Sequence, residues 1–497
     1  MRTWQPTFTL DPSQTRPLSV QIAHEIARDI RRGRLRRGAA LPGSRPLAEV
    51  LSVHRNTVLA AYRELVAEGW ITTKPAGGTF VSESIPDVSP RGFASRPELS
   101  IEPRSLGFAL PLRKARPPSP EFPPGTMVMA SGVPDPRLFA VDLLASAYRR
   151  VLRMSGGALL GYGDPRGHPR LREALAEMLS AVRGLSVTAD SVVVTRGSQM
   201  AIDLVARAIV APGDVIAVEA LGYPPAWAAL EQAGAKLRPI PVDKHGLSIV
   251  ALEKAMACES IRAIYVTPHH QYPTTVTLSA GRRIALLELA RRYRIAIIED
   301  DYDYEFHYEG RPVVPLACGD RAGVVVYIGT LSKILAPGLR IGFLVAPQPL
   351  LDRVTALRTL VDRQGDQAVE CAVAELLEDG EVQRHARRMK RIYKSRRDVL
   401  AQELEDHLTG ALKFDIPAGG MGLWATAVDG TDVEAWGRRT LELGVGVLTT
   451  GRFAFGDGRP AAMRLGFASL NERELKDAVR KIAAARAPTR RKPRGRA

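Results

Sequence analysis

A lysine follows an uninterrupted apolar run in the second half of the chain. Lys333 comes three residues after the predicted strand over 323–330. Parallel α/β sheets bind ligands at the carboxyl ends of their strands, and a lysine amine placed there can form a Schiff base with an aldehyde cofactor. The hydroxyls of Thr330 and Ser332 and the guanidinium of Arg340 suit a phosphate. The spacing indicates a site for a phosphorylated aldehyde, although an isolated loop lysine is more often a solvated charge.

Carboxylates and phenols follow a second apolar run. The strand predicted over 294–301 ends in Asp300 and Asp301, and Tyr302 and Tyr304 come shortly after. A carboxylate at this edge can keep a pyridinium nitrogen protonated, which makes a cofactor ring an electron sink. A phenol beside it can bond to the 3′-oxygen of the ring. The alternative is that these carboxylates cap a turn or helix.

Two further turns offer a phosphate cradle and a ring partner. Ser198 and Gln199 open a predicted helix after the strand over 191–195, and their free backbone N–H groups suit a phosphate. Tyr223 follows the strand over 214–219 and can stack on a flat ring. Each signal is weak alone, because serine caps and packed tyrosines are common.

These residues need a scaffold that brings strand ends together. From about residue 127, short apolar runs alternate with helical stretches, which predicts parallel strands buried on both faces. We therefore expect an α/β body with a mainly parallel sheet, followed by a small α+β subdomain over 390–485. The predicted strands lie at 191–195, 214–219, 261–268, 294–301, 323–330 and 343–347.

The front of the chain has a different pattern. Three amphipathic helices and a strand pair occupy about 65 residues, an order that suits a winged helix-turn-helix whose third helix enters the major groove. The arginine and asparagine at the start of that helix can read base edges, and the glycines of the wing allow close backbone approach. The alternative is a small helical domain with solvated charges. The candidate DNA contacts are Arg45, Arg55, Asn56, Thr57, Lys74, Gly77 and Gly78.

Charge is concentrated at the two ends of the chain. The 497 residues carry a formal net charge of +16. Residues 1–81 hold 12 basic and 6 acidic side chains, and residues 486–497 hold six basic and no acidic ones. This distribution favours a polyanion as partner, and a basic surface that serves only solubility is an equal alternative.

Cysteine spacing and hydropathy exclude several classes of protein. Cys258, Cys318 and Cys371 lie far apart without a CxxC or Cys/His pattern, which argues against a disulfide scaffold and predicts no metal site. No uncharged apolar run approaches the length of a membrane-spanning helix, and the N-terminus lacks the apolar core of a signal peptide. We expect a cytoplasmic protein with no membrane partner.

Composition divides the chain into four segments. Ten prolines fall within 83–124, and proline forbids helix interiors and central strands, so this region is expected to be an extended linker. The basic tail is expected to be disordered. The predicted segments are a winged helix-turn-helix over 15–82, a linker over 83–126, the α/β body over 127–485 and the tail over 486–497.

The segment over 41–81 resembles the DNA-binding domain of the GntR family of bacterial regulators. The sequence departs from the family at Gly43, which is inserted before Ser44, and at His54, where serine is usual and where we expect a weaker helix cap. The resemblance implies DNA binding. The matching residues are Leu41, Pro42, Arg45, Leu47, Ala48, Arg55, Thr57, Val58, Tyr62, Leu65, Glu68, Gly69, Gly78, Thr79, Phe80 and Val81.

The body resembles the fold-type I aminotransferases, which carry pyridoxal 5′-phosphate (PLP). The resemblance implies that Lys333 carries the cofactor, that Asp300 faces the ring nitrogen and that Tyr302 faces the 3′-oxygen. Asp301 and Tyr304 are the competing choices. Arg464 resembles the arginine that binds a substrate carboxylate, and a surface ion pair is its alternative role. The family's S/T-x-S-K-x-L-x-P-x-x-R-x-G run is matched by Thr330, Ser332, Lys333, Leu335, Pro337, Arg340 and Gly342, and residues 162–176 resemble its Y-x-x-x-x-G-x-x-x-L-R segment.

One departure concerns the loop after the strand over 261–268. Tyr272-Pro273-Thr274-Thr275 stands where aminotransferases show N-P-x-G, so the asparagine that bonds to the ring oxygen is absent. The form from His270 to Thr274 is typical of a regulator subgroup, and Thr275 in place of glycine is unusual even there. We expect this departure to impair transamination more than cofactor binding.

Together the two halves resemble the MocR subgroup of GntR regulators. The resemblance implies a homodimer that binds a double-stranded DNA operator and senses an amine, an amino acid or PLP itself through an aldimine at Lys333. We do not expect a turnover enzyme, although transaminase half-reactions are compatible with the sequence. The alternatives are a PLP-dependent aminotransferase with an accessory DNA-binding domain, and a regulator whose body no longer binds PLP.

Overall fold

The computed structural model forms two compact units, residues 1–112 and residues 113–497. Within the described residues, no helix combines the length and apolarity that a bilayer crossing requires. Gly77, most of the predicted linker and all but the first residue of the predicted tail lie outside the described residues. The structure describes residues 4–11, 16–74, 78–85, 108, 122–129, 132–428, 430–455 and 460–486.

The first unit confirms the predicted order of three helices and a hairpin. The two strands pair antiparallel, with Ile71 opposite Val81. Its core takes one apolar face from each helix, including the fully buried Ile26, Val58 and Leu65. The elements are α1 (Leu18–Arg31), α2 (Ser44–Val50), α3 (Arg55–Ala67), β1 (Ile71–Lys74) and β2 (Gly78–Val81).

Helix α3 is capped at both ends by local interactions. The Nδ1 atom of His54 accepts a hydrogen bond from the Asn56 backbone N–H at 3.2 Å, so histidine supplies the cap that serine supplies elsewhere in the family. The helix is therefore capped despite this departure, and a cap weaker than that of serine stays a prediction. Gly69, with φ of +79°, follows the C-terminal end and takes the left-handed conformation that stops the helix.

The second unit holds the remaining elements. Its helices are α4 (Val141–Ser155), α5 (Pro169–Met178), α6 (Ser198–Ile209), α7 (Pro224–Gln232), α8 (Ile249–Cys258), α9 (Ala280–Tyr293), α10 (Leu316–Gly319), α11 (Gln348–Val361), α12 (Gln367–Glu378), α13 (Glu381–Leu408), α14 (Val433–Glu442) and α15 (Glu472–Ala484). Its strands are β3 (Met127–Val128), β4 (Val192–Thr195), β5 (Val215–Glu219), β6 (Lys236–Ile240), β7 (Val242–Asp243), β8 (Gly246–Leu247), β9 (Ile261–Val266), β10 (Ala296–Asp301), β11 (Val325–Thr330), β12 (Gly342–Val345), β13 (Leu412–Phe414), β14 (Gly422–Ala427), β15 (Val445–Gly446), β16 (Leu448–Thr449) and β17 (Ala462–Gly466).

A seven-stranded sheet forms the centre of this unit, in the order β4-β12-β11-β10-β9-β5-β6. The sheet is mainly parallel, as expected, but β12 runs antiparallel to both of its neighbours. The prediction of a parallel strand over 343–347 is therefore wrong. Only residues 331–341 separate β11 from β12, without an α-helix, and a parallel connection requires a crossover of a dozen or more residues. The edge strand β6, which contains Pro239, was not predicted.

Helices cover both faces of the central sheet. Successive strand residues point to opposite faces, so Ile298 packs in a core with α6, α7 and α11, whereas Ile297 packs on the other side with α8 and α9. The same alternation sends Asp300 and Asp301, at the end of β10, to opposite sides of the sheet.

The C-terminal part forms the expected α+β subdomain. Its antiparallel sheet has the order β13-β14-β17-β16, and α13 and α15 pack against each other beside it. Its core includes the fully buried Trp436 and Phe467.

Candidate functional site

A cavity of about 330 Å³ opens at the carboxyl ends of the central strands. Its size falls in the range of small-molecule sites. Five residues that the sequence predicts for cofactor binding line it, and aromatic rings form much of the remaining wall. The lining residues are Phe122, Gly132, Val133, Ser198, Tyr223, Pro224, Pro225, Thr267, Tyr272, Asp300, Tyr302, Lys333, Leu448, Arg452 and Phe453.

Lys333 reaches the cavity from the loop after β11. The Thr330 hydroxyl donates to the Ile341 carbonyl oxygen at 3.1 Å and accepts from the Ser332 N–H at 3.1 Å, which fixes the start of this loop. The Ser332 Oγ atom is buried and has no hydrogen-bond partner among the described residues. Burial lowers the pKa of Lys333, and the carboxylates of Asp303 and Asp300 partly oppose that shift.

Asp300, and not Asp301, faces the cavity. Tyr265 on β9 donates to Asp300 Oδ2 at 2.6 Å, whereas Asp300 Oδ1 is buried without a hydrogen-bond partner in the described chain. Burial raises the pKa of Asp300 to about 7. Asp301 lies on the opposite side of the sheet, where the Tyr327 hydroxyl donates to it at 2.7 Å and Arg183 lies 3.8 Å away.

The same division applies to the two tyrosines. Tyr302 lines the cavity, and its hydroxyl donates to the His270 carbonyl oxygen at 3.0 Å. Tyr304 instead donates to the Val182 carbonyl oxygen at 3.3 Å and lines a different cleft. The structure therefore places Asp300 and Tyr302 together and separates them from Asp301 and Tyr304.

Of the residues predicted to hold a phosphate, Ser198 lines the cavity and Arg340 does not. Ser198 is the first residue of α6 and contributes to the lining. Arg340 donates to the Arg196 carbonyl oxygen at 2.8 Å, and its Nη2 lies 2.9 Å from the position that a Cβ atom on Gly197 would take. Gln199 points elsewhere, since its Nε2 donates to the Pro225 carbonyl oxygen at 2.9 Å.

Tyr272 occupies the position of the missing asparagine and shapes the opposite wall. Its ring packs edge-on against Tyr223 at 5.3 Å and lies 4.4 Å from the guanidinium carbon of Arg464. Arg464 is fully buried on β17 and donates to the Pro273 carbonyl oxygen. Thr275 has a φ of +65°, the left-handed conformation for which glycine is the usual residue.

Sequence reasoning missed several residues around the cavity. Thr267 donates to Glu219 Oε2 at 2.8 Å and accepts from the Tyr272 N–H at 2.9 Å, which joins the ends of β5 and β9. Burial raises the pKa of Glu219 to about 7. The position of Thr267 directly after an apolar run could have indicated its role, whereas nothing local marks Arg452 or Phe453 as lining residues.

In the first unit, the predicted DNA contacts lie on the surface. Arg55 and Asn56 are exposed at the start of α3, and Arg55 Nε donates to Ser44 Oγ at 3.2 Å. Arg45 is exposed on α2, Thr57 is partly buried, and Gly78 begins β2 with a φ of +95°. The Lys74 ammonium lies 5.2 Å from the centre of the Phe80 ring.

Comparison with known proteins assigns both units. Residues 127–482 match the family Aminotransferase class I and II, and residues 18–81 match the family Bacterial regulatory proteins, gntR family. The chain is 33% identical to the probable rhizopine catabolism regulatory protein MocR of Rhizobium meliloti, over 96% of this chain and 95% of that one. The chain belongs to the MocR subgroup of the GntR family.

Other MocR-type and aminotransferase relatives agree with this membership. The chain is 30% identical to the pyridoxine biosynthesis regulator PdxR of Corynebacterium glutamicum, over 80% of this chain and 81% of that one. Its fold is similar to that of LysN, an α-aminoadipate aminotransferase from Thermus thermophilus crystallised with N-(5′-phosphopyridoxyl)-L-leucine. The TM-score is 0.69 at 28% identity, over 73% of this chain and 92% of LysN.

The aminotransferase class I and II fold implies PLP, and the cavity fits that cofactor. Two buried oxygen atoms, Asp300 Oδ1 and Ser332 Oγ, have no hydrogen-bond partner among the described residues. Asp300 suits a protonated ring nitrogen, and Ser332 together with the N-terminus of α6 suits a phosphate. The side chain of Lys333 offers an amine that suits the cofactor aldehyde.

Proposed function

We propose that this protein is a PLP-dependent, DNA-binding transcription regulator that senses an amine, an amino acid or PLP itself. The observation that carries the proposal is the meeting of Lys333, Asp300 and Tyr302 in one cavity of a chain that also contains a gntR-type domain. A regulator of this kind needs both a ligand site and a DNA reader.

The residues of the cavity divide the task of holding the cofactor. Asp300 accepts a hydrogen bond from the ring nitrogen, and the Tyr302 hydroxyl faces the ring oxygen. Backbone N–H groups at Ser198 and the guanidinium of Arg340 hold the phosphate, and Tyr223 packs beside the ring. When bound, PLP supplies an aldehyde carbon that condenses reversibly with primary amines.

The amine of Lys333 would allow this cavity to sense other amines, because both would compete for the same aldehyde of PLP. An effector with its own amine would compete with Lys333 for the cofactor, and a displaced Lys333 would change its contacts in the cavity. Such a ligand changes the affinity of the regulator for DNA only if it binds two conformations of the regulator with different affinities. Arg464 supports a carboxylate on the effector, because its buried guanidinium lies 4.4 Å from the ring of Tyr272, which lines the cavity.

Tyr272 favours sensing over turnover. Its ring lies against the Arg464 guanidinium at 4.4 Å, so an incoming carboxylate must share or displace that contact. The asparagine that bonds to the ring oxygen in aminotransferases is also absent at this position. Both features weaken interactions that rapid transamination needs, namely binding of the substrate carboxylate and a hydrogen bond to the ring oxygen.

The first unit supports operator binding. Arg55 and Asn56 stand exposed at the N-terminal end of α3, where recognition helices present side chains to base edges. Arg45 and Lys74 are exposed cations suited to phosphates.

An apolar patch supports a homodimer. Leu160, Tyr162 and Leu360 are 79%, 83% and 85% exposed, and Arg363 lies over the Tyr162 ring at 4.2 Å, which places the two segments side by side. Exposed apolar patches mark association surfaces, and most soluble oligomers are symmetric dimers. Light scattering should give twice the chain mass for the parent, and Leu360→Asp should shift the equilibrium toward monomer.

Absorption spectroscopy combined with DNA binding tests the whole proposal. The parent, loaded with PLP and freed of unbound cofactor, should absorb visible light, and Lys333→Ala should lose that band while keeping some DNA binding. One amine or amino acid should change both the spectrum and the DNA affinity of the parent. A parent that stays colourless with added PLP contradicts the cofactor role, and steady release of a keto acid supports the aminotransferase alternative.

A further inference from the structure

Three histidines from two loops converge beside the cofactor cavity. His269 and His270 follow β9, and His307 follows β10. One ring nitrogen of each lies within 4.8 Å of the other two. The residues are only 4%, 2% and 6% exposed, and the proposed function assigns them no task.

One ring nitrogen of each of these three histidines lacks a hydrogen-bond partner among the described residues. His269 Nε2, His270 Nε2 and His307 Nδ1 are buried and have no partner within the described part of the chain. Buried polar atoms are almost always bonded, so an isolated exception needs an explanation. Three exceptions of one chemical kind at one place indicate a shared ligand that accepts nitrogen lone pairs.

One histidine already has the support that metal ligands have. His270 Nδ1 lies 2.7 Å from Asp303 Oδ1, and both side chains are buried. A carboxylate on one ring nitrogen fixes the tautomer and directs the lone pair of the other nitrogen outward. The unpartnered Nε2 of His270 is therefore poised as a ligand.

We propose that His269, His270 and His307 bind a Zn²⁺ ion. Three imidazoles suit a borderline transition-metal ion better than Mg²⁺ or Ca²⁺, which prefer oxygen ligands. Nitrogens bound to a tetrahedral Zn²⁺ lie about 3.4 Å apart, given Zn–N distances of about 2.1 Å. The spacing of up to 4.8 Å means that the rings rotate inward when the ion binds.

A cleft gives the ion a path to the cluster. A second cavity of about 460 Å³ is lined by His307 and by Tyr304, whose ring lies 4.9 Å from that of His269. It is separate from the cavity that Lys333 lines. Water from this cleft supplies the fourth ligand.

The ion would join two loops that carry residues of the cofactor cavity. His269 and His270 belong to the loop that contains Tyr272, and His307 belongs to the segment that begins with Tyr302. Since a ligand that binds only the folded state stabilises it, Zn²⁺ is expected to raise the melting temperature of the full chain.

Cobalt titration of the full-length protein tests the site. The chain is purified without a histidine tag, treated with a chelator and titrated with Co²⁺, whose visible bands report nitrogen coordination. We expect one equivalent of Co²⁺ per chain, its displacement by Zn²⁺, and at least tenfold weaker binding in both His307→Ala and His269→Ala. His245→Ala, which removes an exposed histidine from the same unit, should bind as the parent does.

The controls keep the outcome interpretable. Circular dichroism of the metal-free variants verifies folding, and His307→Gln replaces the alanine variant if that variant does not fold. A parent that binds no Co²⁺ would identify the cluster as packed neutral rings and overturn the proposal. Unchanged binding in both cluster variants would place the ion elsewhere and overturn it as well.

Discussion

Tyr265 and Asp300 form a 2.6 Å hydrogen bond between neighbouring parallel strands. The Tyr265 hydroxyl donates to Oδ2 of Asp300, which lines the cofactor cavity, and Oδ1 is buried without a hydrogen-bond partner among the described residues. The bond therefore orients the carboxylate, and it also favours the ionised form of Asp300 against the effect of burial. Tyr265 contacts no proposed ligand and acts as a positioning residue.

We expect Tyr265→Phe to weaken PLP binding about tenfold. A hydrogen bond to a charged group contributes about 1.5–3 kcal/mol, and about 1.4 kcal/mol corresponds to a factor of ten. Spectroscopic titration with PLP measures the affinity. Tyr293→Phe, which removes a half-exposed hydroxyl on α9, should bind as the parent does. An affinity of Tyr265→Phe within twofold of the parent would contradict the positioning role.

Burial of Asp300 makes the stability of the cofactor-free protein depend on pH. Its pKa is about 7 in the folded chain and about 4 in an unfolded chain. Between these values the folded state binds a proton that the unfolded state has lost, so the contribution of Asp300 to stability falls as pH rises. Below pH 4 and above pH 7 the contribution is constant.

Asp300→Asn removes this titration. The free energy of unfolding of the parent minus that of the variant should therefore fall between pH 4 and pH 7, by on the order of 1 kcal/mol per pH unit. Urea unfolding of both PLP-free proteins across this range provides the measurement. Titrating groups that do not interact with Asp300 cancel in the difference. A difference that is flat, or that rises with pH, would show that Asp300 titrates normally.

The choice between Asp300 and Asp301 shows where sequence reasoning stops. The sequence places the carboxylates of Asp300 and Asp301 at the end of an apolar strand, and their residue type predicts an interaction with a protonated ring nitrogen. Adjacent residues of a strand point to opposite faces, but only the packing of β10 against its neighbours determines which face carries the cavity. The neighbouring strands β9 and β11 and the helices on both faces of the sheet supply that information, and most of these elements are distant in sequence.

Pairs distant in sequence account for most of what was not predicted. Tyr265 bonds to a residue 35 positions away, and His270 meets His307 only because two loops fold together. Neither pair leaves a local pattern. The antiparallel direction of β12 differs from these cases, because the short connection after β11 is a local sequence feature that indicates it.

Substitution of Thr275 tests whether its left-handed backbone conformation strains the loop. We expect Thr275→Gly to stabilise the protein by up to about 1 kcal/mol. The left-handed conformation costs a residue with a side chain about 1–2 kcal/mol, and glycine removes this cost. The added flexibility of glycine in the unfolded chain destabilises the folded state by about 0.4–1 kcal/mol, which offsets part of the stabilisation. Urea unfolding measures the difference.

Thr277→Gly is the matched control for this substitution. Thr277 lies in the same loop without a positive φ, and its hydroxyl donates to the His269 carbonyl oxygen at 3.0 Å. Glycine there should destabilise the protein by about 1 kcal/mol. Equal destabilisation by both substitutions would show that Thr275 is not strained.

Arg55 provides the corresponding test of the DNA reader. Arg55→Ala should lower affinity for an operator selected in vitro by the parent protein by about 1–3 kcal/mol, because arginine can hold a guanine edge through two hydrogen bonds. Fluorescence anisotropy at fixed salt measures the affinity. Arg32→Ala removes the same charge from the exposed C-terminal end of α1 and should weaken operator and random DNA alike. If Arg55→Ala also weakened both DNAs equally, its role would be a phosphate contact and not base recognition.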